Sequence, residues 1–220
     1  MADSFFILWL GHLFGDYVLQ NGYIAKRKER NLGVLLIHVM LVGASHLLFF
    51  LPSFNGNILA AVGFVVAAHF LIDYSKFRLS KFQWVSTPWY YLFDQGLHIS
   101  TLLIVAPLIA YQQAFFNGRL SLMICAAILN AYAWGIFAHL GWGEKSNGYR
   151  RDWVGYLFRG ASAVLHNWYW LGSLAVLLLG WFLEERLTGG KKRAEISVSF
   201  ALSFASNIFL INILGKNFWG

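Results

Sequence analysis

Charge is the scarcest commodity in this 220-residue chain: Asp, Glu, Lys and Arg make up only 12% of it, against 58% hydrophobic residues. Soluble domains carry about twice that charged fraction, so an ordinary water-soluble globule is excluded. Cysteine is almost absent. The single Cys125 rules out an internal disulfide and reads as a small packing residue in an apolar run. The first residues, MADSFF, hold no positive charge, and no small-residue cleavage pattern follows. The first apolar run therefore reads as a retained span and not a secretory signal. No internal repeat is evident.

What the chain has in quantity is apolar and aromatic residues. Phe, Trp and Tyr account for 18% of it, and the mean hydropathy is positive. This composition predicts an all-α, polytopic membrane helix bundle, a single transmembrane domain over residues 1–220. The expected spans are about Ser4–Gln20, Leu32–Leu51, Ile58–Tyr74, Trp89–Ala110, Leu120–Leu140, one within Trp153–Leu183, and Ile196–Leu214. That gives about seven helices, within a range of six to eight, with residues 153–183 readable as an interfacial helix plus a span or as a re-entrant pair.

The net charge of +7 would point to nucleic acid in a soluble protein, but here the positive residues cluster in short loops. Lys26, Arg27, Lys28 and Arg30 mark the first loop, Lys76, Arg78 and Lys81 the third, and Lys145, Arg150 and Arg151 the fifth. The second and fourth loops hold only Arg119. Positive loops face the cytoplasm. The expectation is an integral protein of a bacterial cytoplasmic membrane with its N-terminus outside, in contact with lipid and not with nucleic acid. The oligomeric state is left open.

Against this apolar background, three helices carry a histidine and an aspartate four residues apart: His12/Asp16, His69/Asp73 and Asp94/His98. Such a spacing places both side chains on one helical face. The order is reversed in the third pair, and the topology accounts for it. The first and third spans run inward and the fourth runs outward, so each aspartate lies nearer the cytoplasm and each histidine one turn, about 6 Å, deeper. His38, some six residues into the second span, stands at a depth to join them.

A single pair is most simply a hydrogen bond between helices. Three pairs at one depth call for a shared partner, because a lone charge at the bilayer centre costs at least about 2.5–3.5 kcal/mol. Imidazole and carboxylate together suit zinc, iron or manganese better than calcium or magnesium. The expected ligand set is His12, Asp16, His38, His69, Asp73, Asp94 and His98, holding one or two divalent ions, zinc foremost. Asp16, Asp73 and Asp94 double as candidate general bases. Lys76 and Arg78 are candidates for an anionic head group, or mark the inner leaflet. Gly11 and Gly15 allow a neighbouring helix to come close. Tyr17, Gln20, Tyr74 and Gln95 are candidates for an outer shell. His139 and His166 lack a carboxylate at matching spacing and are left out.

The segments GHLFGDYVLQN (11–21), HFLIDYSKF (69–77) and LFDQGLH (92–98) resemble a bacterial membrane family catalogued as domain of unknown function 3307. That family shows G-H-x-x-x-D-F-x-L-Q, a histidine in its second apolar run, H-x-x-x-D-x-x-K and D-Q-x-x-H. The resemblance covers about residues 5–100, within a motif-bearing part of 1–110. The helices of 120–220 look divergent, and nothing is carried over to them. The resemblance implies the membrane fold and the His/Asp site, and little about a substrate.

Three functions then compete. The first is a membrane-embedded metal-dependent enzyme, foremost a hydrolase of a lipid or amphiphile, with an oxygen-activating di-iron enzyme as its variant. The second is a metal-ion or proton-coupled transporter. The third is a structural or partner-binding membrane protein, which leaves three matched pairs without a purpose.

Overall fold

The computed structural model describes residues 2–109, 114–143, 152–215 and 217. Every regular element among them is helical. Five helical stretches are long and apolar enough to cross a membrane: Leu32–Ser53, Gly56–Leu79, Pro88–Leu108, Gly118–Trp142 and Arg193–Leu214. Large apolar side chains such as Met40, Phe64, Leu71 and Ile104 point outward from these stretches, as lipid-facing residues do and as solvated surfaces rarely tolerate. The chain divides into two compact units, Met1–Ser121 and Leu122–Gly220. The basic loop residues Lys145, Arg150 and Arg151 lie outside the described residues.

In the first unit, helix α1 (Ala2–Leu13) continues as a π-helical turn over Phe14–Leu19, and a short α2 (Gly22–Arg27) follows. The long helices are α3 (Leu32–Phe50), α4 (Gly56–Leu79) and α5 (Pro88–Val105). Their starts are written in polar caps. Asn31 accepts from Val34 N–H, Asn55 from Ile58 N–H and Thr87 from Tyr90 N–H. Each cap satisfies a backbone donor that the first helical turn leaves open. Pro88 fits the first turn of α5, where no N–H is needed.

Helix α1 is packed against α3 and α5, α3 against α4, and α4 against α5. Four helices thus close a ring. The first expected span is not among the five apolar stretches, and its setting gives the reason. Phe6, Ile7, Leu8, Leu10 and Leu13 are all buried in protein, and its polar residues Asp3, His12 and Asp16 dilute its hydropathy. Gly11 and Gly15 make the close approach possible. A Cβ on Gly15 would stand 2.7 Å from Val42 Cα, and one on Gly11 3.0 Å from His46 Cγ. Ser45 Oγ donates to the Gly11 carbonyl at 2.5 Å across the same seam.

In the second unit, α6 (Gly118–Ile128, entering from the first unit) runs through a π-turn, Leu129–Ala133, into α7 (Trp134–Trp142). The stretch over 153–183, read as a span with an interfacial helix or as a re-entrant pair, is two helices in a hairpin. It comprises α8 (Trp153–His166) and α9 (Trp170–Thr188), broken at residues 167–169. Gly189, at φ 61°, ends α9 in the left-handed conformation that glycine adopts without strain. Helix α10 (Arg193–Asn207) returns and finishes in a third π-turn, Ile208–Leu214. Leu177, Ile196 and Phe200 form an apolar core here, and a polar string centred on Arg159 and Asn207 runs beside it. Arg159 donates to the backbone carbonyls of Asn130 and Ala131, while Asn207 accepts from Asn130 Nδ2 at 2.6 Å and donates to Ser162 Oγ at 3.1 Å.

Candidate metal centre

The inward stripes of α4 and α5 are unusual in what they bury. On α4 the buried residues are Ile58, Ala61, Val62, Val65, His69 and Asp73. On α5 they are Tyr91, Asp94, His98, Leu102 and Val105. Each stripe keeps the three-to-four spacing of one helical face, apolar at one end and ionisable at the other. Helix α3 adds buried His38 and His46, and α1 with its π-turn adds His12 and Asp16. A π-turn inside a helix is a frequent companion of functional residues, and this one carries Asp16.

The four stripes meet. All seven expected ligands are buried, and they group into three overlapping triads: His12/His69/His98, Asp16/His38/His69 and Asp73/Asp94/His98. Within each triad the donor atoms lie within 4.8 Å of one another. The second triad is close-set. His38 Nε2 stands 3.2 Å from His69 Nε2 and 3.4 Å from Asp16 Oδ1, and His69 Nε2 stands 3.6 Å from that same oxygen. Donors about 2.0–2.2 Å from a tetrahedral zinc are separated by about 3.3–3.6 Å, so this triangle already has the edge lengths of such a site. Asp73 joins the triads. Its Oδ2 lies 3.2 Å from His38 Nε2 and 3.6 Å from His69 Nε2, and its Oδ1 lies 3.6 Å from His98 Nε2.

Three of the atoms that face the centre have no hydrogen-bond partner: His12 Nε2, His98 Nε2 and Asp16 Oδ1. An unmatched buried polar atom costs about 1–3 kcal/mol. A cluster of them converging on one place is the signature of a ligand in waiting, and carboxylates beside imidazoles suit a cation. The imidazoles also crowd each other, with ring centroids 4.3 Å apart for His69 and His98 and 4.8 Å for His12 and His98.

The shell around the centre matches the expectations unevenly. Tyr17 and Tyr91 share a 2.5 Å hydroxyl–hydroxyl contact, and Gln95 Nε2 donates to Asp94 Oδ2 at 3.4 Å. Tyr74 instead stacks with Phe70 and Phe77. Lys76 does reach the centre, 3.8 Å from Asp94 Oδ2 and 3.3 Å from Glu29 Oε1. Arg78 is exposed. His139 pairs with Glu195 at 3.2 Å, and His166 lies beside Ser173 and Asn212. Both belong to the second unit.

One residue was missed. Lys28, read from the sequence only as a loop charge, extends its ammonium into the centre and donates to Asp73 Oδ2 at 3.0 Å and to His38 Nε2 at 2.9 Å. Nothing in the spacing of the motif pairs points to it, because it lies 45 positions from Asp73. The one available signal was its place in a short loop beside the inner ends of the helices.

No curated protein and no solved structure matches this chain. A family model does, over residues 4–123, a stretch that holds all seven ligand candidates together with Lys28 and Lys76. The matched stretch covers more than half of the chain, which therefore belongs to the family described as "Protein of unknown function (DUF3307)".

Proposed function

We propose that this protein is a membrane-embedded, metal-dependent hydrolase of a lipid or another amphiphile, seated in a bacterial cytoplasmic membrane with its N-terminus outside. The observation that carries the reading is the division of the cluster into two triads that share no residue, Asp16/His38/His69 and Asp73/Asp94/His98, with the Asp73 carboxylate turned toward both. That is the arrangement of a two-ion site, and zinc is the first choice for its mixed imidazole and carboxylate donors. Bound there, such ions supply a hydroxide near neutral pH and polarise the bond to be cut.

The chain's own residues do the rest. His12 lies between the triads, its ring 5.4 Å from His69 and 4.8 Å from His98. Asp94, met by Lys76 at 3.8 Å and Gln95 at 3.4 Å, is assigned the part of taking a proton from water. Asp16 and Asp73 serve chiefly as ligands. Lys76, and Arg78 beyond it, supply positive charge for an anionic head group.

The transporter reading is the weaker one. A through-path needs polar groups beyond the cluster, and the other half of α1 is filled by buried Phe6, Ile7, Leu8 and Leu10. Elemental analysis of the detergent-purified protein tests the proposal. Zinc supports hydrolysis, iron redirects the reading to a di-iron oxidoreductase, and no stoichiometric metal refutes both.

A further inference from the structure

We infer that Lys28 is a built-in counter-cation of the centre, holding the His38–Asp73 edge when metal is absent and swinging out when metal enters. The inference rests on the metal reading above and concerns how that site is regulated.

Three observations carry it. The first is the choice of partners. Lysine has no acceptor capacity, so its 2.9 Å approach to His38 Nε2 engages the ring's lone pair. That lone pair is what a metal facing His69 and Asp16 needs. Its second partner, Asp73 Oδ2 at 3.0 Å, belongs to the carboxylate turned toward both triads. Both acceptors lie on the His38/His69 side of the centre, since Asp73 turns its other oxygen to His98, and a metal ligated by either atom cannot share the spot with the ammonium.

The second observation is charge. Asp16, Asp73 and Asp94 bring three negative charges into the buried centre, and Lys28 and Lys76 bring two positive ones. Each divalent ion that enters adds two positive charges, so an ammonium that stays on the same acceptors raises the cost in a low-dielectric interior. Withdrawing Lys28 removes one positive charge from the centre. Lys76 is the poorer candidate to leave, because Glu29 anchors it as well at 3.3 Å.

The third is the route. Lys28 is the C-cap of the short helix α2 and is only partly buried, with exposed Lys26 and Arg27 just before it. Its four-carbon stem can turn from the centre to the loop surface by rotamer changes alone. The histidines and aspartates of the cluster, short and buried, have no such exit.

Zinc titration of the purified full-length protein, wild type against Lys28→Met, tests this. Removing the competitor is expected to tighten zinc binding by about tenfold or more, the worth of a charge-assisted contact. In parallel, amine labelling of the wild type read by mass spectrometry should show Lys28 several-fold more reactive with zinc than without. Exposed Lys26 serves as the internal reference. The labelling arm stands even if Lys28→Met fails to fold. Equal or weaker zinc binding by the variant, or labelling of Lys28 that does not rise with zinc, overturns the displacement and leaves the metal site intact. Zinc bound by neither protein overturns the metal reading and the displacement together.

Discussion

Asp73 turns one carboxylate oxygen to His38, at 3.2 Å, and the other to His98, at 3.6 Å, so a single residue of α4 faces histidines on both neighbouring helices. Asp73→Asn keeps the shape and removes the charge. The expected result is loss of about half or more of the bound metal, since a carboxylate turned toward both triads would help hold an ion in either. His69→Ala should have a comparable effect. His139→Ala and His166→Ala should leave the metal content unchanged. Inductively coupled plasma mass spectrometry on the four variants makes the comparison.

Gly15 and Gly63 offer a paired test of packing. A Cβ at Gly15 would meet the Val42 backbone at 2.7 Å, whereas nothing lies within 4 Å of one at Gly63. Gly15→Ala must push α1 from α3 and should destabilise by about 1–3 kcal/mol. Gly63→Ala in the middle of α4 should be neutral or stabilise by up to about 1 kcal/mol. Thermal unfolding in detergent reads both. The same Gly15 shift displaces Asp16, so its metal content should also fall.

Arg159 tests the independence of the second unit. It is buried, 3.5 Å from Glu184 Oε2 and 3.4 Å from Asp152 Oδ2, and it donates to the Asn130 and Ala131 carbonyls. Arg159→Ala strands the Glu184 carboxylate and should cost about 3–5 kcal/mol. Arg159→Ala with Glu184→Gln should recover part of that loss. Neither is expected to change metal per folded protein, which a size-exclusion peak analysed for metal would show.

The shared depth of the three His/Asp pairs depends on topology. Reporter fusions after Arg30 and Lys81 should read cytoplasmic and one after Asn55 external. Asn55 and Lys81 on the same side would contradict the orientation of α4, the helix between them.

The cluster was legible in the sequence because its members obey a local rule. His and Asp four apart on one face, with the order reversed when the helix direction reverses, is a pattern readable from spacing alone, and His38 followed from depth. Lys28 was not legible because it acts through a loop and reaches ligands on two other elements. Its charge also served the topology, which hid a second use. The length of 153–183 already suggested two segments, but the position of the break between α8 and α9 was hidden for a different reason. Asn167-Trp168-Tyr169 breaks the helix with no proline and no glycine. The π-turn under Asp16 leaves no sequence mark that the local residues would betray, since Phe14–Leu19 is compatible with an ordinary helix.

The capped helix ends act as a ruler. His38 lies seven residues after its cap Asn31, Asp94 seven after Thr87, and Asp73 seven before Ser80, the residue that ends α4. Seven residues are two turns, about 10 Å along a helix axis. Three helices, two ascending and one descending, therefore set the same distance from their polar ends to the centre. An ester or phosphate bond at the head of a lipid lies within that reach of the helix ends. The terminal methyl of an acyl chain, at the bilayer midplane, lies about 15 Å into the hydrocarbon, beyond the end of the scale.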